Sequence, residues 1–122
     1  MQTVTMLYAE DVVDTSRWYQ NFLGLRSGHG GPEFEMLLDG DNLLLQLHEL
    51  QADHDHGATT TQPLGHGVLV FVYVDDADAA YARAKELDIE IVGDMQYNPM
   101  ARMKEFTVKD PNGYAIGVCE TT

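Results

Sequence analysis

Two passes through one order of elements, a strand, a helix and three strands, account for nearly all the apolar periodicity in this chain. Residues 4–9 are a β-prone run. Asp11 is placed to cap a helix, Asp14 falls in its electropositive first turn, Trp18, Phe22 and Leu23 recur at helical spacing, and Gly24 stops it. Residues 25–28 read as a weak strand, and 34–38 with 43–49 as a hairpin around Asp39-Gly40-Asp41-Asn42. Periodicity then dissolves over residues 50–67 into Gln, Asp, His, Gly and Thr. A strand over 68–74 reopens the pattern, and Asp75-Asp76-Ala77-Asp78 leads an Ala-rich helix to about 87. Strands over 89–93 and 103–108 flank a turn at 98–101, and Asp110-Pro111-Asn112-Gly113 turns into the last strand.

The halves also match residue by residue. Asp11, Asp14, Leu23 and Leu25 recur as Asp75, Asp78, Leu87 and Ile89, 64 positions on, whereas Met6 with Phe71 and Tyr8 with Tyr73 need 65. The expected slip of one residue lies at the strand-to-helix turn. The pattern predicts one α+β domain over 1–122: module one 1–49, a linker loop 50–67, and module two 68–122.

Strand alternation separates two kinds of face. Leu43, Leu45 and Leu47 oppose Leu44, Gln46 and His48; Val68, Val70, Val72 and Val74 oppose Leu69, Phe71 and Tyr73; Lys104, Phe106 and Val108 oppose Met103, Glu105 and Thr107. In the last strand Ile116 and Val118 oppose the small residues Ala115, Gly117 and Cys119. The first face of each strand suits packing against a helix. The second mixes aromatic and polar groups as a ligand pocket does.

With 20 acidic and 7 basic residues among 122, the net charge of -13 repels phosphate backbones and anionic headgroups, so nucleic acid and membrane surfaces are not expected partners. The lone cysteine, Cys119, has no internal disulfide partner and suits a reducing compartment. No apolar run approaches a spanning length, and Met1-Gln2-Thr3 has neither the basic nor the apolar region of a secretion signal. A cytoplasmic location is the expectation.

Three segments, residues 11–24 (Asp-Val-Val-Asp-Thr-Ser-Arg-Trp-Tyr-Gln-Asn-Phe-Leu-Gly), Val74-Asp75-Asp76, and Asp110-Pro111-Asn112-Gly113-Tyr114, together resemble the vicinal oxygen chelate superfamily. Glyoxalase I, bleomycin-resistance proteins and extradiol dioxygenases belong to it. The resemblance implies that the two modules form a curved, cup-shaped mixed sheet with helices outside and a ligand cup inside, and that chains often pair as homodimers. It also implies four inward metal-ligand positions, which here carry Val4, Gln46, Leu69 and Gly117. None is a usual first-row metal ligand, and the neighbours Thr5, Leu45, Val70 and Ile116 are no better. The expected metal set at that site is therefore empty. His48 with the loop residues His54, Asp55 and His56 forms an alternative nitrogen and oxygen set for a divalent ion, although loop histidines are commonly just solvated and this spacing matches no defined motif.

Two residues stand out as candidate proton-transfer groups. Glu105 places a carboxylate on an apolar face, where desolvation opposes its charge and suits it to act as a general base or to hold a cationic ligand group. The plainer alternative is a rim carboxylate paired with Arg102 or Lys104. His48 is directed inward by alternation, as a ligand contact or as a packed ring. Cys119 is read as an inert buried thiol in preference to a nucleophile. Trp18 and Tyr19 anchor the first helix. The expected ligand-binding set is Tyr8, Gln46, His48, Phe71, Tyr73, Met103, Glu105 and Cys119, sharing one cavity.

The leading functional reading is a small-molecule-binding protein of the bleomycin-resistance kind, without the usual metal. The alternatives are a lyase, isomerase or epimerase with Glu105 and His48 as acid and base, a metal enzyme using displaced histidines, and an interaction module whose cup is filled by its own side chains.

Overall fold

The structure is a computed structural model that describes residues 1–50 and 63–121. The chain divides into two compact units, Met1–Leu64 and Gly65–Thr122. The first contains β1 (Met6–Ala9), α1 (Val12–Leu23), β2 (Arg26–Ser27), β3 (Phe34–Asp39) and β4 (Asn42–Glu49). The second contains β5 (Leu69–Tyr73), α2 (Ala77–Glu86), β6 (Ile91–Asn98), β7 (Met103–Lys109) and β8 (Ala115–Thr121). Each has a four-stranded mixed sheet, ordered β1-β4-β3-β2 and β5-β8-β7-β6. The first strand of each module runs parallel to the last and the remaining pairs are antiparallel. This is the α+β, doubled βαβββ architecture expected.

Local chemistry sets the ends of α1. The Asp11 side chain accepts the Asp14 N–H at 3.0 Å, and Gly24 takes the left-handed conformation at φ 69 while its N–H closes on the Gln20 carbonyl. Val12, Thr15, Ser16, Tyr19 and Phe22 follow helical spacing and are buried, and α1 lies against β3 and β4, whose Leu37, Leu45 and Leu47 are buried in turn. A fully buried Phe22 contributes about 1.5–3 kcal/mol of transfer free energy. The second module reverses the division of bulk: α2 buries only Ala77, Ala80 and Ala84, while the sheet supplies Phe106, Val108, Ile116 and Val118.

The internal repeat needs a correction in its register. The cap of α2 is Asp76 and not Asp75, since the Asp76 side chain accepts the Ala79 N–H at 2.9 Å. Asp11 therefore corresponds to Asp76, and the 65-residue offset continues along the buried helix face, where Val12, Thr15 and Tyr19 match Ala77, Ala80 and Ala84. The offset changes at the far end of the helix, where α1 has 12 residues and α2 has 10, so the C-caps Gly24 and Leu87 stand 63 positions apart. Three strand bounds also move. Val4 lies ahead of β1, Val68 ahead of β5, and β6 runs on to Asn98 where a short strand ending at 93 was expected, with irregular register against β7 absorbing the extra length.

The turn before β8 is held by a buried aspartate. One carboxylate oxygen of Asp110 accepts the N–H groups of Asn112 and Tyr114 at 2.8 and 2.9 Å, and Gly113 sits at φ 97. Gly65, at φ 88, approaches so closely that a Cβ there would stand 2.5 Å from the Gly113 carbonyl oxygen.

Candidate functional site

Each sheet has a second face, turned away from its helix, and the ladder registers show which side chains share it. In module one, Met6, Gln46 and Met36 form one rung across β1, β4 and β3, and Tyr8, His48 and Phe34 form the next. The Tyr8 and His48 rings meet edge-on at 5.2 Å. His48 is only 5% exposed, and its Nδ1 stands 2.8 Å from the Glu49 carbonyl oxygen. A carbonyl only accepts, so the ring proton of neutral His48 resides on Nδ1 and its lone pair on Nε2. Module one thus brings Tyr8, Gln46 and His48 together as expected from alternation.

In module two the corresponding rungs are Phe71 with Gly117 and Thr107, and Tyr73 with Cys119, Glu105 and Gln96. Met103 precedes Glu105 by two residues on the same strand and face. Three side chains of β5 on this face remain open: Leu69, Phe71 and Tyr73 are 54%, 47% and 67% exposed. Glu105 is half-buried. Asn98 approaches its Oε1 at 3.5 Å through Nδ2, while Lys104, on the opposite face, pairs with Asp78 on α2. Lys104 is therefore not the partner of Glu105. The Asp78 carboxylate, in hydrogen bond and by charge, raises the Lys104 ammonium above its ordinary value; desolvation opposes this, and Glu120 and Asp76 add to the rise.

Cys119 is fully buried, with Sγ 3.5 Å from the Val72 carbonyl oxygen. Burial pushes its thiol above the ordinary value, and the neighbouring Glu105 carboxylate pushes further the same way. The thiol stays protonated at neutral pH, which suits an inert side chain.

The four positions that the resemblance assigns to metal do not suit one. Val4 and Leu69 are exposed aliphatics, and Gly117 lies beneath the Phe71 ring, where even a Cβ would come within 2.7 Å of a ring carbon. A glutamate at 117 has no room while Phe71 keeps this rotamer. Among the described residues no three His, Cys, Asp or Glu side chains cluster as metal ligands. His54, Asp55 and His56 lie outside the described residues, so the displaced set with His48 does too. His66 is exposed.

The residue that sequence reasoning missed is Glu35. It sits on the helix-facing side of β3 and is 3% exposed. Its Oε2 accepts the hydroxyls of Ser16 and Ser27 at 2.8 and 2.7 Å, and its Oε1 accepts the N–H groups of His29, Gly30 and Met36 at 3.1, 2.7 and 2.9 Å. Gln20 in turn donates to Ser16. Burial works against the charge, but Ser27, the Gly30 N–H, Ser16 and the His29 N–H together outweigh it and hold the carboxyl below the ordinary glutamate range. A cavity of about 190 Å³ opens over this cluster, lined also by Val13, Arg17 and Gly31. The ladders pair Leu47 with Glu35 and Val118 with Phe106, so the sister module carries a phenylalanine at the equivalent place. The fold does not need a charge there. In module one Glu35 staples the turn after β2 to α1, and with five donors it is saturated as an acceptor.

Two βαβββ units with helix-averted faces of mixed aromatic and polar character define the glyoxalase-like class of α+β proteins. A family model described as Glyoxalase/Bleomycin resistance protein/Dioxygenase superfamily matches residues 2–118, and the chain belongs to that superfamily. No curated protein sequence matches it. Among solved structures, a protein of unknown function from Agrobacterium tumefaciens str. C58 aligns with TM-score 0.82 at 21% identity, over 100% of this chain and 95% of the other. TioX from Micromonospora sp. ML1 aligns with TM-score 0.76 at 20% identity, over 100% and 99%. A lactoylglutathione lyase from Agrobacterium tumefaciens aligns with TM-score 0.74 at 22% identity, over 98% and 92%. At these identities the likeness is one of fold.

Proposed function

We propose that this protein binds a small organic molecule against the helix-averted faces of its sheets, without a metal at the superfamily's usual positions. One observation carries the reading: module two leaves Leu69, Phe71 and Tyr73 open beside a half-buried carboxylate, and an apolar face with one placed polar group is the composition of a ligand site. The residues assigned to the ligand are Tyr8, Gln46 and His48 in one module and Phe71, Tyr73, Met103, Glu105 and Cys119 in the other. Cys119, fully buried, lies beneath that face and contributes no chemistry. Support for the missing metal comes from the Phe71 ring over Gly117 and from the aliphatic side chains at 4 and 69.

Native mass spectrometry of protein from its source, with elemental analysis of the same sample, tests this. A retained organic mass with no stoichiometric zinc, nickel or iron is the expected outcome. Stoichiometric zinc, nickel or iron that is lost on Gln46→Ala overturns it. The same spectrum reads the subunit count, for which a homodimer, twice the 13.6 kDa chain, is proposed. Reporter fusion and microscopy test the cytoplasmic location proposed from the unpaired thiol.

A second reading, a metal-independent lyase or isomerase, draws on His48. Its tautomer is set by the Glu49 carbonyl, as an acid or base catalyst requires. Turnover of a 2-oxoaldehyde hemithioacetal, abolished in His48→Ala or Glu105→Gln, favours this reading; absence of turnover with retained binding favours the first.

A further inference from the structure

Resting on the small-molecule reading above, the second module's face narrows the class of ligand. Glu105 carries a full carboxylate with room for about four hydrogen bonds. Among the described residues it receives one, at the long distance of 3.5 Å from Asn98, and it forms no ion pair there. Lys104, next to it in sequence, is committed to Asp78 on the other face. The Glu105 carboxylate, facing Cys119 across the β7–β8 ladder, adds to burial in raising that thiol above its ordinary value.

Across the sheet from Glu105, on the far side of β8, stands Tyr73, the most exposed of the β5 side chains, and Phe71 lies one rung below with its ring spread over Gly117. Two strand spacings separate Tyr73 from Glu105, about 10 Å, which is the length of a fused two- or three-ring system. Between them β8 carries Gly117 and Cys119, both buried, with the Phe71 ring lying over Gly117, so the accessible groups of this face are the Phe71 and Tyr73 rings and the Glu105 carboxylate. Open aromatic rings attract flat rings and cations alike. The whole-chain charge of -13 enriches cations near the surface.

We propose that this face binds a flat aromatic cation, its rings against Phe71 and Tyr73 and its charged nitrogen against the Glu105 carboxylate. A neutral ring of the same shape gains the stacking but leaves Glu105 without a counter-charge, and an anionic one meets repulsion.

The test compares four probes on the full chain by fluorescence titration or calorimetry: 9-aminoacridine as the flat cation, acridone as its neutral counterpart, 9-anthroate as a flat anion, and cyclohexylammonium as a cation without a flat ring. The expected order is 9-aminoacridine tighter than acridone by roughly tenfold or more, with 9-anthroate and cyclohexylammonium weaker still. Glu105→Gln removes the preference for the cation while acridone binds as before, and Tyr73→Ala weakens both flat probes. Glu105 is half-buried and free of salt bridges among the described residues, so Glu105→Gln should fold, and a matched thermal melt verifies it. The wild-type order of the four probes decides even if a variant does not fold. Equal binding of 9-aminoacridine, acridone and 9-anthroate overturns the charge assignment while preserving a flat-ligand site. Failure of every probe to bind overturns this proposal alone, since the retained mass in native spectrometry judges the broader reading separately.

Discussion

Removing the acceptor at Glu35 should be among the most costly single changes on the helix-facing side of module one. Glu35→Ala strips five donors of their partner: the hydroxyls of Ser16 and Ser27 and the N–H groups of His29, Gly30 and Met36. Leaving a buried donor unmade costs about 1–3 kcal/mol, but the turn carrying His29 is exposed and its groups can recover water. The net expectation is about 3–5 kcal/mol, the range for breaking a buried charged network from one side. Glu35→Gln keeps an oxygen for the three N–H groups and offers its amide to the two serine oxygens, so it should lose only the charge assistance, about 1–2 kcal/mol.

The pH dependence follows in sign. The folded-state carboxyl of Glu35 lies below its ordinary value of 4.5, so its stabilisation is fully present above that value and is lost as pH falls through the folded value. Urea denaturation at pH 7 and at pH 3 should show the wild type ahead of Glu35→Gln at the higher pH and the gap narrowed at the lower. Amide exchange at Gly30 and His29 should quicken in the variant. A Glu35→Gln midpoint equal to wild type at pH 7, or a gap that widens on acidification, would falsify the staple.

Three further outcomes are expected. Gly117→Ala sets a Cβ 2.7 Å from the Phe71 ring and should cost about 1–3 kcal/mol, and the double variant with Phe71→Ala should recover part of this; independent effects in the thermal melts would show that the two do not touch. Asp110→Ala removes the acceptor of the Asn112 and Tyr114 N–H groups, and a loss of about 1–3 kcal/mol in urea denaturation is expected; an unchanged midpoint would show the turn stable without it. Cys119 should react with iodoacetamide far more slowly in the folded protein at pH 7 than in denaturant, because burial and Glu105 keep the thiol protonated; equal rates would refute this.

Short-range chemistry was legible in the residues themselves. A capping aspartate at 11 and a glycine at 24 act within one helical turn, and strand alternation is imposed by the backbone at every second residue, so the ends of α1 and the faces carrying Gln46, His48, Phe71 and Glu105 follow from the sequence. The pattern of strands, helix and turns twice over indicated the order of elements, the resemblance carried by residues 11–24, 74–76 and 110–114 supplied the superfamily fold, and the superfamily model over 2–118 agrees with it. The choice between Asp75 and Asp76 as the second cap was not legible. Both are aspartates, and only the path from β5 into α2 decides whose oxygen meets the Ala79 N–H. Glu35 and Leu37 share a face of β3, a signal that the sequence carried and that went unread, because a lone carboxylate among apolar residues reads as a misfit until its partners are known. Those partners come from α1, β2 and the turn that follows, up to 19 positions away. The ring of Phe71 over Gly117 likewise depends on parallel pairing of β5 with β8. Sequence by itself determined what each residue can do within a turn or along a strand; the tertiary structure decided which distant donors meet which acceptor, because that choice is made by packing and not by the local backbone.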